Sequence, residues 1–219
     1  MKAKYSYFLI GFILLFLFEP LLSIAQKDFP IVNLLFVLVI SVVFLTSCVL
    51  DVRRRGSILA ICLAVTGVAV EFLDKGHFLD LAPGVLSLMA HGIYAYFIAY
   101  AIYVLTVRIF SEKAIDLNAL CGGIFIYFLI GILWVVFYRI LLQVNPEAFN
   151  VDAKNSLFYF SYMTLTTVGY GDIYPKSHYA RILCNAEAIT GQIFLAVFIS
   201  RLVGLYIVRE INAASKRTD

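Results

Sequence analysis

The chain has 219 residues, of which 63% are hydrophobic and 14% charged, with a mean hydropathy of +0.94. A soluble domain carries roughly 45–50% apolar and about 25% charged residues, so an ordinary soluble protein and a disordered chain are both excluded. The formal net charge of +3 is modest and fits membrane topology better than nucleic-acid binding.

The apolar residues form long unbroken runs rather than alternating stretches of ~10 residues, which argues against an outer-membrane barrel and for an all-α integral membrane protein. In chain order the spacing predicts spanning helices over Tyr5–Ala25, Ile31–Leu50, Ser57–Leu73, Pro83–Phe110, Leu117–Leu142 and Tyr179–Glu210. The first of these also resembles a signal peptide, with Lys2 and Lys4 ahead of the apolar stretch and Ser23-Ile24-Ala25 as a possible cleavage site. Between the last two runs, Asn155–Thr166 is too short to span. Its helix would rise about 18 Å, roughly half a bilayer, which predicts a re-entrant half-helix surrounded by protein or a water-filled path. The last run is long enough for about 46 Å of helix and is expected to extend beyond the hydrocarbon.

With both termini placed in the cytoplasm, 11 lysines and arginines lie on the inner side and 6 on the outer, while the acidic residues divide 5 to 9 the other way. That bias supports the assigned orientation. Cys48, Cys62, Cys121 and Cys184 lie in or beside apolar runs without metal-ligand spacing and read as small packing residues. No nucleophile–base pair, metal cluster or phosphate-cradling loop is present, so no enzyme activity and no cofactor is expected.

The informative string is Thr166-Thr167-Val168-Gly169-Tyr170-Gly171-Asp172, directly after the half-helix. With Thr164 it matches the T-x-x-T-x-G-Y-G-D signature, and the chain from about Leu117 to Glu210 resembles the pore module of the potassium-channel family. The resemblance implies a selectivity filter in which backbone carbonyls of Thr167, Val168, Gly169 and Tyr170, with the Thr167 hydroxyl, replace the hydration shell of a potassium ion. Gly169 and Gly171 would permit the alternating backbone that aims those carbonyls at one axis. One chain supplies one wall of such a ring, so a homotetramer is expected, with potassium ions, membrane lipids and three further copies as partners and no nucleic acid. Tyr170 would brace the filter against the pore helix, and Tyr159, Thr164, Thr166 and Asp172 would support it. Met163 stands where some channels carry a glutamate partnering the aspartate, so that carboxyl pair is absent. The filter tyrosine is present, which distinguishes the string from non-selective relatives that carry aspartate there.

Gly191 falls 24 residues after Thr167, at the family's hinge-glycine position. A gating bend is one reading and close helix packing the other. Gln192, Ala196, Ile199, Val203 and Ile207 share a stripe expected to wall the cavity and lower gate. Glu187, one turn before Gly191, is expected behind or below the filter, either bonded to a pore helix or at a lipid edge. His91 and Glu71 are intramembrane ionisable residues, read as proton sensors or, more simply, as interhelical hydrogen-bonding groups.

The architecture expected is six transmembrane helices plus a re-entrant pore helix and filter loop. Residues 1–113 would form a four-helix domain and 114–219 the pore domain. The fourth helix carries only Arg108, at its cytoplasmic end, so a conventional voltage sensor is not expected. Arg53-Arg54-Arg55 reads as a topology anchor or lipid-headgroup contact. The function expected is passive, selective potassium conduction across the cell (inner) membrane. Alternatives are a non-selective cation channel of the same plan, a non-conducting regulatory subunit, and a transporter subunit, which would need further pore-loop repeats.

Overall fold

The computed structural model describes residues 9–11, 13, 84–111, 117–150 and 156–218. The first three expected spans, apart from helical residues 9–11 and 13, lie outside the described residues, as does Glu71. Four helices follow: α1 (Val85–Ser111), α2 (Leu117–Val144), α3 (Leu157–Leu165) and α4 (His178–Thr218). Three of them contain segments long and apolar enough to cross a membrane, at Val85–Ser111, Ala119–Val144 and His178–Val208. The chain is an all-helical, multi-pass membrane protein. The helix bounds fall close to those expected from sequence, except that α4 runs on to Thr218. Its 41 residues give about 60 Å of helix, well past a bilayer core.

α2 is the central element and packs against α1, α3 and α4. Its buried residues include Phe125, Ile126, Leu129, Val135 and Tyr138, so it is enclosed along much of its length. α1 turns Ala90, Tyr94, Phe97, Ile98, Ala101, Leu105 and Ile109 inward, a stripe at helical spacing. At its C-terminal end the Ile109 carbonyl accepts a 3.2 Å hydrogen bond from Arg201 Nη2 of α4. The same guanidinium lies 4.7 Å above the Phe110 ring, so the C-terminal end of α1 is tied to α4.

α4 behaves differently from α2. One face, through Ala180, Glu187, Gly191 and Phe198, is buried against its own chain. The other carries Ile189, Ile193, Val197, Val203 and Ile207, all exposed in the single chain. An apolar helix face in a membrane protein needs either lipid or protein beside it.

Three glycines sit at close helix approaches: Gly123 of α2 lies against the Phe198 ring of α4, and the other two lie at α3. A Cβ on Gly131 of α2 would come 2.7 Å from the Tyr162 ring of α3. A Cβ on Gly191 would overlap the backbone carbonyl of Leu165, where α4 crosses the end of α3. Of the two readings of Gly191, packing therefore has a visible cause in the fold. A backbone oxygen cannot swing aside as a side chain can. Gly191→Ala is expected to destabilise the detergent-solubilised protein by about 1–3 kcal/mol, the usual cost of overpacking. The measurement is the thermal unfolding midpoint, and an unchanged midpoint would contradict the close crossing.

Candidate functional site: helix α3 and its C-terminal loop

α3 has nine residues, too few to be stable alone, so its neighbours must hold it. Leu157, Phe160, Ser161, Tyr162 and Leu165 are its buried residues. Phe160 makes edge-to-face contacts with Tyr138 at 5.2 Å and Phe149 at 5.0 Å, which close into a cluster through the 5.7 Å Tyr138–Phe149 pair. Polar ties add direction. Tyr162 Oη donates to the Phe128 carbonyl at 2.7 Å, and Tyr127 Oη donates to the Leu165 carbonyl at 3.3 Å.

The chain beyond α3 folds back onto the helix end. The Thr166 amide donates to the Tyr162 carbonyl at 3.1 Å, the Thr167 amide to Thr164 at 3.0 Å and the Gly169 amide to Met163 at 3.1 Å. The Thr164 and Thr166 hydroxyls bond back to the carbonyls of Phe160 at 2.9 Å and Tyr162 at 2.6 Å. The carbonyls that a helix end leaves without partners are thus supplied from the loop and the threonines.

The loop then alternates in hand. Thr167 has φ +59°, Gly169 +53° and Gly171 +80°, whereas Val168 and Tyr170 keep negative φ. Such alternation lets successive carbonyls face one side of an extended strand. Glycine adopts it freely. Thr167 is β-branched and does not, so its conformation carries strain. Among the described residues, no hydrogen bond is accepted by the carbonyls of Thr167, Val168, Gly169 or Tyr170.

The side chains lie elsewhere. The Tyr170 ring stacks on Tyr159 of α3, with centroids 6.5 Å apart and planes within 3°. The Tyr159 hydroxyl lies close to the Asp172 side chain. The exit from the loop is strapped down by Asn150. Its Nδ2 donates to the Asp172 carbonyl at 2.8 Å, and its Oδ1 accepts from the Tyr174 amide at 2.8 Å. A backbone bridge between Phe149 and Pro175 continues the strap.

Comparison with known proteins can be set against this geometry. The family model described as "Ion channel" matches residues 124–207, which covers α3, the loop and most of α2 and α4. The chain is 35% identical over 81 residues to "Two pore potassium channel a" of Oryza sativa subsp. japonica, covering 36% of this chain and 22% of that protein. It is 30% identical over 100 residues to the human "Voltage-gated potassium channel regulatory subunit KCNF1", covering 46% of this chain and 19% of that protein. It thus spans about a fifth of the length of each of these two relatives. It is 33% identical over 109 residues to "Protein LctB" of Bacillus caldotenax, covering 45% of this chain and 80% of that protein. No solved structure matches the chain.

The chain belongs to the potassium channel family.

As a member of this family, the chain brings together Thr164, Thr166, Thr167, Val168, Gly169, Tyr170, Gly171, Asp172 and Tyr159 at the end of α3. Glu187 is fully buried on α4, not at a lipid edge. Its Oε2 accepts from Tyr138 Oη at 2.5 Å, and its Oε1 lies 2.5 Å from Ser161 Oγ of α3. His91 is apart from the 166–172 loop, near the N-terminal end of α1 and the C-terminal end of α2. Its Nδ1 lies 2.7 Å from the Ser87 carbonyl and 3.2 Å from Gln143 Nε2, beside a cavity of about 430 Å³ that Arg139 and Pro146 also line. Nδ1 serves one of these partners at a time: protonated it donates to the Ser87 carbonyl of its own helix, and unprotonated it accepts from Gln143 of α2. Gln192, Ala196, Ile199, Val203 and Ile207 are all exposed in the single chain.

Sequence reasoning missed Asn150, Ser161 and Tyr138. A lone serine within the aromatic stretch Phe158-Tyr159-Phe160-Ser161-Tyr162 was the available signal for Ser161. Asn150 offered none, because its two partners are 22 and 24 residues away. Asn150→Ala removes both bonds of the strap and is expected to cost about 1–3 kcal/mol, read as a lower thermal midpoint. Asn150→Asp keeps the acceptor for Tyr174 but loses the donor to Asp172, so it should also lower the midpoint. Equal midpoints for all three proteins would contradict the strap.

Proposed function

We propose that four copies of this chain assemble around an axis and conduct potassium passively and selectively across the cell membrane. The permeant ion would be held by the carbonyls of Thr167, Val168, Gly169 and Tyr170 and by the Thr167 hydroxyl, with Gly171 completing the turn of hand. The observation that carries this reading is the run of four adjacent carbonyls without a protein donor, in a segment whose hand alternates residue by residue. In the single chain residues 166–170 are exposed; in the proposed ring their carbonyls would be closed off from bulk water, where a carbonyl without a partner is costly. A dehydrated cation on the axis supplies one, and in exchange the carbonyl ring replaces the ion's water.

The remaining parts follow from the same reading. The exposed apolar face of α4 would meet neighbouring copies and the pore, with Gln192, Ala196, Ile199, Val203 and Ile207 toward the cavity and lower gate. Gly191 would serve as the point of bending as well as of packing. Residues 1–113 would form a six-span arrangement with the pore module 114–219, both termini cytoplasmic and lipid around the outside. No chemical step and no cofactor beyond the permeant ion is involved. Arg108 alone at the end of α1 gives too little charge for steep voltage gating.

Because one relative is named a regulatory subunit, a non-conducting partner is the rival outcome. Flux into proteoliposomes under opposed potassium and sodium gradients separates the readings. The reversal potential is expected to follow potassium, and barium to block. Gly171→Ala forces a Cβ into the left-handed region, at about 1–2 kcal/mol, and is expected to abolish flux. A reversal potential that follows sodium, or no barium-sensitive flux, would contradict the proposal.

A further inference from the structure

We propose that Glu187 is a positioning residue for the selectivity filter: its buried carboxyl group ties α3 to α2 and α4 and so sets where the filter loop sits. This rests on reading Thr167–Tyr170 as an ion filter.

Glu187 is 0% exposed, and its two oxygens meet hydroxyls rather than a basic side chain, Tyr138 of α2 and Ser161 of α3. Ser161 Oγ also reaches the Gly131 carbonyl of α2 at 2.9 Å. Three helices therefore meet in one polar node inside an apolar layer. A carboxyl group is among the most expensive side chains to bury there, and a leucine would pack at no such cost. The return has to be something that apolar contact does not give.

That return is direction. The apolar contacts of Leu157, Phe160 and Leu165 hold α3 inside the protein but are not themselves directional. Hydrogen bonds with defined geometry are directional. Ser161 immediately precedes Tyr162, Met163 and Thr164, whose carbonyls receive the amides of Thr166, Gly169 and Thr167. Fixing Ser161 thus fixes the carbonyls from which the filter loop hangs. One turn further along α4, Gly191 lies against the Leu165 carbonyl, so the same helix meets α3 twice. The Tyr127 and Tyr162 hydroxyls tie α3 to α2 alone, and the Glu187 node brings in α4. Movement of the inner helix and placement of the filter are joined at this residue.

Three variants test this in the full chain. Glu187→Gln preserves the geometry: its carbonyl accepts from Tyr138, and its amide donates to Ser161, whose own proton then goes to Gly131. It is expected to keep the wild-type potassium-to-sodium permeability ratio within about twofold. The triple variant Tyr138→Phe/Ser161→Ala/Glu187→Leu removes the three interacting side chains together, leaving only the Gly131 carbonyl, which keeps its place in the α2 helix, and the weakly polar Cys184 thiol of their other partners. It is expected to keep the thermal midpoint while the permeability ratio falls at least about tenfold. Ser161→Ala alone is expected to lower the ratio in the same direction. A wild-type ratio in Ser161→Ala or in the triple variant would reduce the node to a satisfied packing contact and overturn the proposal. Loss of selectivity in Glu187→Gln would overturn it too. Wild-type protein that does not distinguish potassium from sodium would instead refute the filter reading, and this inference with it.

Discussion

The end of α3 is the constraint around which the pore half of the chain is arranged. A helix that stops inside an apolar layer has carbonyls to satisfy and no water to satisfy them. The chain supplies donors by turning the loop back, so that the amides of Thr166, Thr167 and Gly169 reach the last turn. The loop backbone is therefore held at one end by the helix it leaves. At the other end it is held by Asn150, which bonds the main chain at Asp172 and Tyr174. Between these anchors the chain alternates in hand and keeps its carbonyls free of protein donors. Order and unmet polarity are combined in a few residues, a combination that suits transient coordination of a cation better than permanent internal bonding.

The rest of the described structure supports that segment from behind. Aromatic rings of Tyr138, Phe149 and Phe160 fill the space between α2, the strap and α3. Tyr159 and Tyr170 stack beside the filter loop. α2 is enclosed by its own chain, whereas α4 leaves one apolar face without a partner. In the proposed tetramer that face would be divided between the pore and adjacent copies. The Arg201 contact with Ile109 and Phe110 joins α4 to the C-terminal end of α1, so the helix before the pore module is mechanically connected to it.

The four described helices were legible because apolar runs in a membrane protein are long, and their bounds differ from the structure by only a few residues, apart from the C-terminal extension of α4 to Thr218. That extension is polar and carries no hydrophobic signal for a span. Gly169 and Gly171 announced left-handed backbone because glycine is the residue that takes it at least cost. Thr167 shares that conformation, and a β-branched residue gives no such notice. The position of Glu187 near the pore helix followed from helical spacing before Gly191. Its partners did not follow, since Tyr138 lies 49 residues away and Ser161 26, and one-dimensional spacing does not show which helices meet. For Gly191 the sequence leaves a hinge and close packing both open, because the Leu165 carbonyl beside it is a tertiary fact with no local signature.

The most direct measurement is an anomalous-scattering map of the assembled protein with thallium in place of potassium. The account predicts a single column of peaks on a fourfold axis, each ringed by main-chain oxygens of residues 167–170 from four copies. Copies that meet without such an axis, or thallium sites that avoid these oxygens, would contradict it.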